Sequence, residues 1–277
     1  MQYIVCDNEI MLSGIADFDP VKIFECGQCF RWNADKHGVY TGIAMGHALS
    51  VRSAGDRIFL GCSEDDFHKV WYDYFDLNRD YEAIRRSLPR DPYTTAAAEF
   101  GKGIRILNQD KWETLCSFVI SQCNNIPRIK KIIESFCSLF GDPFEYSGKL
   151  LYTFPSVNMT ASLSEKDLEP IRCGYRAPYI LEAARALSSG ALNLDALSSS
   201  GFQYALESLK TIKGIGDKVA NCVLLFGLHI PGAFPIDTWV RQALKAHYPN
   251  GFDPSLFGEA AGIAQQYIFY YARSGNL

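Results

Sequence analysis

The stretch Lys210–Gln242, KTIKGIGDKVANCVLLFGLHIPGAFPIDTWVRQ, constrains this chain more than any other. Gly214-Ile215-Gly216 cannot continue a helix cheaply, so the backbone turns there. From Asp217 the run Asp-Lys-Val-Ala-Asn-Cys-Val-Leu-Leu-Phe predicts a helix, ended by Gly227 or by Pro231-Gly232. The unit is therefore helix, Gly-X-Gly hairpin, helix. Such a hairpin points free backbone N–H groups at one spot, and the second helix adds its positive dipole end. A phosphate suits that spot, which makes Gly214 and Gly216 candidate phosphate contacts. Lys218 stands in the first turn of the second helix, and Asp237 follows 19 residues later in Phe-Pro-Ile-Asp-Thr-Trp. A lone Gly-X-Gly is often a plain turn, and a first-turn lysine is usually solvated. That lysine nevertheless carries the wrong charge for its helix end.

The rest of the composition sets bounds. With 277 residues, 48% of them hydrophobic, the chain can bury one large core or two smaller ones. Its formal net charge is −4, so no bulk basic field draws it to nucleic acid. Any contact with DNA has to come from local patches and backbone amides, with modest salt dependence. The nine cysteines, an odd number, read as reduced thiols in a cytoplasmic protein. Cys26-Gly-Gln-Cys29 matches C-x-x-C but has no second pair at zinc spacing, so neither metal nor cofactor is expected. The apolar runs are too short to span a bilayer, and Asp7 and Glu9 make the first residues unlike a signal peptide. The chain is expected to act as a monomer.

The pattern along the chain predicts an α+β protein. Strands are expected at Tyr3–Cys6, Val39–Met45, His47–Arg52 and Arg57–Leu60, as a run of close antiparallel strands. Helices are expected over Glu64–Phe75 and Asp80–Leu88, followed by a break at Pro89 and Pro92. The predicted division is residues 1–92 as an antiparallel β-sheet domain and 93–277 as a helical domain of two subdomains, with the hairpin at 205–228. Within the second part, helices are predicted at Thr94–Lys102, Lys111–Gln122, Ile126–Phe140, Leu163–Ile171, Ala177–Ser189 and Tyr204–Leu209. A long closing helix is predicted at Pro254–Ser274.

The hairpin with Lys218 and Asp237 resembles the helix-hairpin-helix DNA glycosylase superfamily. Four further stretches resemble its 8-oxoguanine DNA glycosylases, and together they span most of the chain. These are Phe24-Glu-Cys-Gly-Gln-Cys-Phe-Arg-Trp32, Gly103–Asp110 with Phe118-Val-Ile-Ser-Gln-Cys-Asn-Asn-Ile-Pro-Arg128, Gly174-Tyr-Arg-Ala-Pro-Tyr179, and Ala261-Gly-Ile-Ala-Gln-Gln-Tyr-Ile-Phe269. The resemblance implies a sheet of TATA-binding-protein type packed on two helical subdomains. It also implies a bifunctional glycosylase and abasic-site lyase that flips 8-oxoguanine out of duplex DNA. Lys218 would be the nucleophile and Asp237 the catalytic aspartate. As the neutral amine, Lys218 would form a Schiff base. A free lysine, with an ordinary pKa of about 10.4, is largely protonated at pH 7. A helix N-terminus and partial burial are the features that favour a neutral amine.

Further roles come from the same resemblance. The Gly27 carbonyl would accept from N7–H of 8-oxoguanine and repel the N7 lone pair of guanine. Phe269 and Cys222 would stack on the base, Gln265 would read its Watson–Crick edge, and Pro235 would complete the pocket. Tyr175 would fill the gap as a wedge, while Arg176, Arg128 and Asn124 would hold the estranged cytosine. The alternatives on the residues alone are an exposed turn pair for Tyr175-Arg176, helix caps for Asn124 and Asn125, and core packing for Phe269. Asp237 could equally cap a helix beginning near Thr238. Two departures stand out. Cys123 occupies the first place of the family's Asn run. Trp239 stands where the family often has a phosphate-binding His, and either contacts a phosphate through its indole N–H or packs. Two rival readings are a glycosylase for oxidised pyrimidines and a non-catalytic DNA-binding module. The first usually carries iron–sulfur cysteines after the aspartate, but no cysteine follows Cys222 here. The second needs neither Lys218 nor Asp237.

Overall fold

The computed structural model describes residues 1–277 apart from Arg90. Six antiparallel strands form the first sheet: β1 Gln2–Cys6, β2 Glu9–Ser13, β3 Trp32–Ala34, β4 Tyr40–Ala44, β5 His47–Ala54 and β6 Arg57–Leu60. Their order is β1-β2-β6-β5-β4-β3. Register follows the period-two pattern: Ile10 faces Leu60 and Leu12 faces Ile58, all four buried, so one face is apolar. Helix α1, Pro20–Glu25, is capped by the Asp19 carboxylate and interrupts the meander between β2 and β3. After β6 come α2 Glu64–Asp66, a π-helical turn Phe67–Trp71, α3 Tyr72–Tyr74 and α4 Tyr81–Ser87. The predicted helix at Glu64–Phe75 is therefore present but carries a π turn where Phe67 and Trp71 are both buried. An aromatic cluster anchors the region: Phe24 stacks on Trp32 at 4.1 Å and 13°, and Trp32 Nε1 donates to Tyr74 Oη at 2.9 Å.

The remaining helices are α5 Pro92–Phe100, α6 Lys111–Ser121, α7 Ile126–Phe140, α8 Val157–Ser162, α9 Ala177–Ser188 and α10 Leu194–Ser198. They continue with α11 Phe202–Lys210, α12 Asp217–Phe226, α13 Thr238–His247 and α14 Ala261–Arg273. A two-stranded hairpin, β7 Pro143–Tyr146 with β8 Lys149–Tyr152, follows α7 and had no counterpart in the sequence reading. Two predicted helices need correction. Leu163–Ile171 is not a helix. The helix there is α8, capped by Ser156, and Leu163 is extended. Ser164 and Asp167 bond each other locally instead, leaving a short 3-10 turn at Glu169–Ile171. The closing helix is also shorter than Pro254–Ser274, because Gly258 (φ 51°, ψ −130°) separates a 3-10 turn at Pro254–Ala260 from α14.

The chain divides into two compact units. The first holds Met1–Gly42, Leu49–Asn108 and Pro231–Leu277, and the second holds Ile43–Ala48 and Gln109–Ile230. In the second, α6 is the buried centre: Leu115, Cys116, Val119 and Ile120 are almost fully enclosed, and Phe118 stacks on Phe226 of α12 at 5.4 Å. Among the described residues no helix is long and apolar enough to cross a membrane.

Segment Gly103–Asp110 is irregular yet mostly buried, so its polar groups need internal partners. Tyr81 Oη accepts from Ile106 N and Gln28 Oε1 from Leu107 N, both at 2.9 Å, while Arg105, 2% exposed, turns its guanidinium to carbonyls outside the segment. Its Nε donates to Phe75 O at 3.0 Å, its Nη2 to Asp76 O and Arg79 O at 2.6 and 3.0 Å, and its Nη1 to Ala16 O at 3.2 Å. The guanidinium lies 4.2 Å from the Tyr81 ring centroid. Replacing Arg105 by Met should leave several buried carbonyls unpaired and cost at least about 3 kcal/mol, read from urea unfolding midpoints at unchanged m. A loss under about 1 kcal/mol would show that water replaces the guanidinium without penalty.

Candidate active site

The hairpin is built as its sequence dictates. Helix α11 runs to Lys210, and Ile215 N donates to Ile212 O at 3.1 Å, which closes the turn. Gly214 sits at φ 88°, a left-handed conformation, and a Cβ there would meet the Tyr179 ring at 2.4 Å. Both the conformation and the ring beneath it therefore require glycine. Gly216 is the N-cap of α12 and offers no side-chain cap. The N–H groups of Gly214 and Gly216 make no hydrogen bond among the described residues. The turn thus presents unspent donors at a helix N-terminus, the arrangement that receives a phosphate. Two further bonds brace it. Lys210 Nζ pairs with Asp217 Oδ1 across the turn at 2.9 Å, and Glu182 Oε1 accepts from Lys213 N at 3.1 Å.

Lys218, half-buried in the first turn of α12, points back to α6. Its Nζ donates to Ser121 Oγ at 3.3 Å and lies 5.0 Å from the Phe118 ring centroid. Ser121 Oγ donates to Phe118 O at 2.8 Å, so toward Lys218 it can only accept. Sequence reasoning missed Ser121 and Phe118 as partners of Lys218. Their i, i+3 spacing on one helix face was the available signal. Cys222, one turn further along α12, is buried.

The second unit also holds the candidate opposite-base residues. Tyr175 is 53% exposed, and its Oη donates to Gln122 O at 3.3 Å. Its pKa is raised, first by desolvation and then by a hydrogen bond with the Cys123 thiol. Arg176 is only 3% exposed. Its Nε and Nη2 donate to Gln122 O, its Nη2 to Cys123 O at 3.2 Å and its Nη1 to Cys173 O at 3.2 Å. In this conformation Arg176 therefore holds the 122–123 backbone and spends four of its five N–H donors on carbonyls. Cys123 is exposed, with a left-handed φ of 48°. Asn125 caps α7, accepting from Arg128 N at 3.0 Å. Asn124 bonds Ile120 O through Nδ2 at 3.2 Å and accepts from Asn125 N. Arg128 is exposed, and its guanidinium makes no bond among the described residues.

The first unit carries the other pocket candidates. Asp237 is the N-cap of α13, accepting from Val240 N at 2.9 Å, so the capping reading of this residue holds. Trp239 follows in the first turn, 38% exposed. Pro235 is buried, and its carbonyl accepts from Gln265 Nε2 at 3.0 Å. Gln265 Oε1 is buried without a partner among the described residues. An unspent acceptor of that kind suits a ligand donor. Gly27 has φ 79°, and a Cβ there would lie 3.2 Å from the Phe269 ring. Gly27 and Phe269 are thus brought together, as are Gln265 and Pro235. Neighbouring Cys26 donates its thiol to Ile23 O, and burial pushes that thiol up to about 12. It is a protonated core thiol.

The comparisons agree with this architecture. Residues 10–115 match the 8-oxoguanine DNA glycosylase, N-terminal domain family, and residues 116–255 match the HhH-GPD superfamily base excision DNA repair proteins. The solved structure of MBOgg1 in complex with a low-affinity DNA ligand is 41% identical, with a TM-score of 0.94 and both chains covered in full. That of Clostridium acetobutylicum 8-oxoguanine glycosylase/lyase, bound to double-stranded DNA with cytosine opposite 8-oxoG, is 38% identical. Its TM-score is 0.94 over 100% of this chain and 99% of that one. The N-glycosylase/DNA lyase of Saccharomyces cerevisiae is 38% identical over 159 residues, 53% of this chain and 42% of the yeast protein.

A substitution at the hairpin tests its geometry. Gly214→Ala combines a left-handed backbone, costing about 1–2 kcal/mol, with a collision against Tyr179. Duplex affinity measured by fluorescence anisotropy should fall about tenfold for damaged and undamaged DNA alike, since a phosphate contact carries no sequence information. Unchanged affinity would remove the hairpin from the interface. The chain belongs to the HhH-GPD superfamily of base excision DNA repair proteins and carries an 8-oxoguanine DNA glycosylase N-terminal domain.

Proposed function

We propose that this chain is a bifunctional DNA glycosylase and abasic-site lyase that excises 8-oxoguanine from duplex DNA in base excision repair. The observation that carries the reading is Lys218, aimed from the first turn of α12 at Ser121, directly after an uncapped phosphate-binding turn. Kinship with MBOgg1 and the Clostridium glycosylase/lyase over the full chain supports the same substrate. A cytoplasmic setting, at the nucleoid in a bacterium, belongs to this reading.

The chemistry follows from the residues. The hairpin amides hold a phosphate while the damaged nucleotide turns out of the stack, a step costing a few kcal/mol. Tyr175 fills the gap, and Arg176 and Arg128 bond the estranged cytosine. Gln265 Oε1 accepts from the Watson–Crick edge of the flipped base, and the Gly27 carbonyl accepts from N7–H. Neutral Lys218 Nζ attacks C1′, and the C1′–N9 bond electrons leave with the base, which takes up a proton. Opening of the aminal gives a Schiff base. Loss of a C2′ proton then expels the 3′-phosphate by β-elimination. Asp237 stabilises the positive charge developing at C1′. Trp239 lies near the backbone phosphates.

Two tests follow. Lys218→Gln should abolish both 8-oxoguanine release and borohydride crosslinking while leaving duplex binding intact. A variant that still traps would remove Lys218 as nucleophile. The second concerns Cys123, whose thiol is a weaker hydrogen-bonding group than an amide. Its loop carbonyl and Arg176 are already engaged, and its left-handed φ suits asparagine. Cys123→Asn should therefore fold normally and raise the preference for cytosine over thymine opposite the lesion about tenfold, as one added base contact would. Single-turnover rates on the four opposite-base duplexes decide this. Wild-type protein already strict for cytosine, and unchanged in the variant, would make Cys123 loop packing only.

A further inference from the structure

Three consecutive carbonyls follow α1, and they are treated differently. Glu25 O accepts from Arg273 Nη2 at 2.7 Å. Cys26 O accepts from Gln266 Nε2 at 2.6 Å. Gly27 O accepts no hydrogen bond among the described residues. The two donors stand on α14 with Phe269 between them, at positions 266, 269 and 273, which one helical face brings together. Gln266 is 2% exposed, so it is a buried amide in an otherwise apolar stretch and its bond to Cys26 O is directional. The residue after Gly27 is pinned as firmly. Gln28, fully buried, donates to Ile23 O at 3.0 Å and Arg105 O at 2.8 Å, and accepts from Leu107 N at 2.9 Å. Both flanks of a left-handed glycine are therefore held by side-chain hydrogen bonds, which limits how the turn and its open carbonyl can move.

We infer that Gln266 and Arg273 are positioning residues for base discrimination. They donate to the turn that carries Gly27, and through it they aim the Gly27 carbonyl. The inference rests on the reading of that carbonyl as the group that accepts from N7–H of 8-oxoguanine. Discrimination there depends on direction. A carbonyl in line with N7 bonds the lesion and repels the guanine lone pair, whereas one turned aside does neither well, because hydrogen bonds weaken steeply off line. Loosening either carbonyl of the pair before Gly27 lets that peptide rotate. Abasic-site cleavage has no base to read, so it does not depend on this alignment.

The experiment compares single-turnover 8-oxoguanine excision with cleavage of a preformed abasic site in the same duplex. The proteins are wild type, Gln266→Met, Arg273→Met, Arg273→Lys and Gly27→Ala. Gln266→Met and Arg273→Met should each lower excision about tenfold, while cleavage of the abasic site changes less than about twofold. Arg273→Lys keeps a donor for Glu25 O and should restore most of the excision rate. In a Lys218→Gln background, the binding preference for 8-oxoguanine over guanine opposite cytosine should shrink by the same factor. Equal loss on both substrates, or full excision by both Met variants, overturns the inference. If Gln266→Met fails to fold, the half-exposed Arg273 and its lysine variant still decide the matter. Gly27→Ala separates the two readings. If it excises normally, the Gly27 reading falls. If it loses excision while both Met variants keep it, the positioning role alone falls.

Discussion

The structure depends on one buried guanidinium. Arg105 sits where three irregular segments of the first unit meet, and it gathers their carbonyls: Ala16, Phe75, Asp76 and Arg79. Burial pulls its pKa below the usual arginine value, with Tyr81 and then Asp76 opposing the shift. Desolvating such a charge is costly, and only the surrounding acceptors offset it. The return on this arrangement reaches the base pocket. The backbone carbonyl of Arg105 accepts from the side chain of Gln28, the residue after Gly27. A core charge is thus linked, through one hydrogen bond, to the turn proposed to tell a lesion from a normal base.

An acidic chain that binds DNA has to do so without a long-range field. At a net charge of −4, the attraction comes from oriented donors and not from bulk charge. The hairpin supplies them as unspent amides on a turn braced from both sides, by the Lys210–Asp217 pair and by Glu182 on Lys213 N. The carboxylates used in the bracing do not cancel the site, because exposed ion pairs are strongly screened. This division makes affinity local and leaves selectivity to the pocket.

Much of this was legible in the sequence, and the limits have physical reasons. Glycine signals were reliable: Gly214 and Gly27 are both left-handed, a Cβ on Gly214 would collide with the Tyr179 ring, and one on Gly27 would crowd Phe269. Helix α7 runs over Ile126–Phe140 as its periodicity and Asn125 cap predict. The failures came where local side-chain bonds competed with periodicity. Ser164 and Asp167 bond each other where a helix over Leu163–Ile171 was expected, and Gly258 broke the closing helix. Strand β2 and helix α1 escaped notice because each is short and its signal overlaps a turn. Site residues that act on other protein groups were the hardest to find. Ser121 was signalled only by its i, i+3 spacing from Phe118, and no spacing rule ties Gln266 to a carbonyl 240 residues away. The one hint was a second glutamine, Gln266, beside Gln265 in an apolar helix, since a buried amide must have a partner.

Those two adjacent glutamines show how one helix can serve recognition twice. Gln265 and Gln266 are both buried on α14, yet successive helical residues point about 100° apart. Gln265 spends its amide N–H on Pro235 O and keeps a buried oxygen unpaired. Gln266 spends its amide on Cys26 O. An unpaired buried acceptor costs about 1–3 kcal/mol in the empty protein. In the proposed reading, a base with a donor edge offsets that cost, which favours a guanine-type edge. The neighbouring amide donates to Cys26 O, and its proposed contribution is to keep the turn still. In the proposed reading, recognition of the Watson–Crick edge and alignment of the N7 contact therefore reside on one element. A shift of α14 would degrade both together, and this places the strongest packing demand of the pocket on that helix.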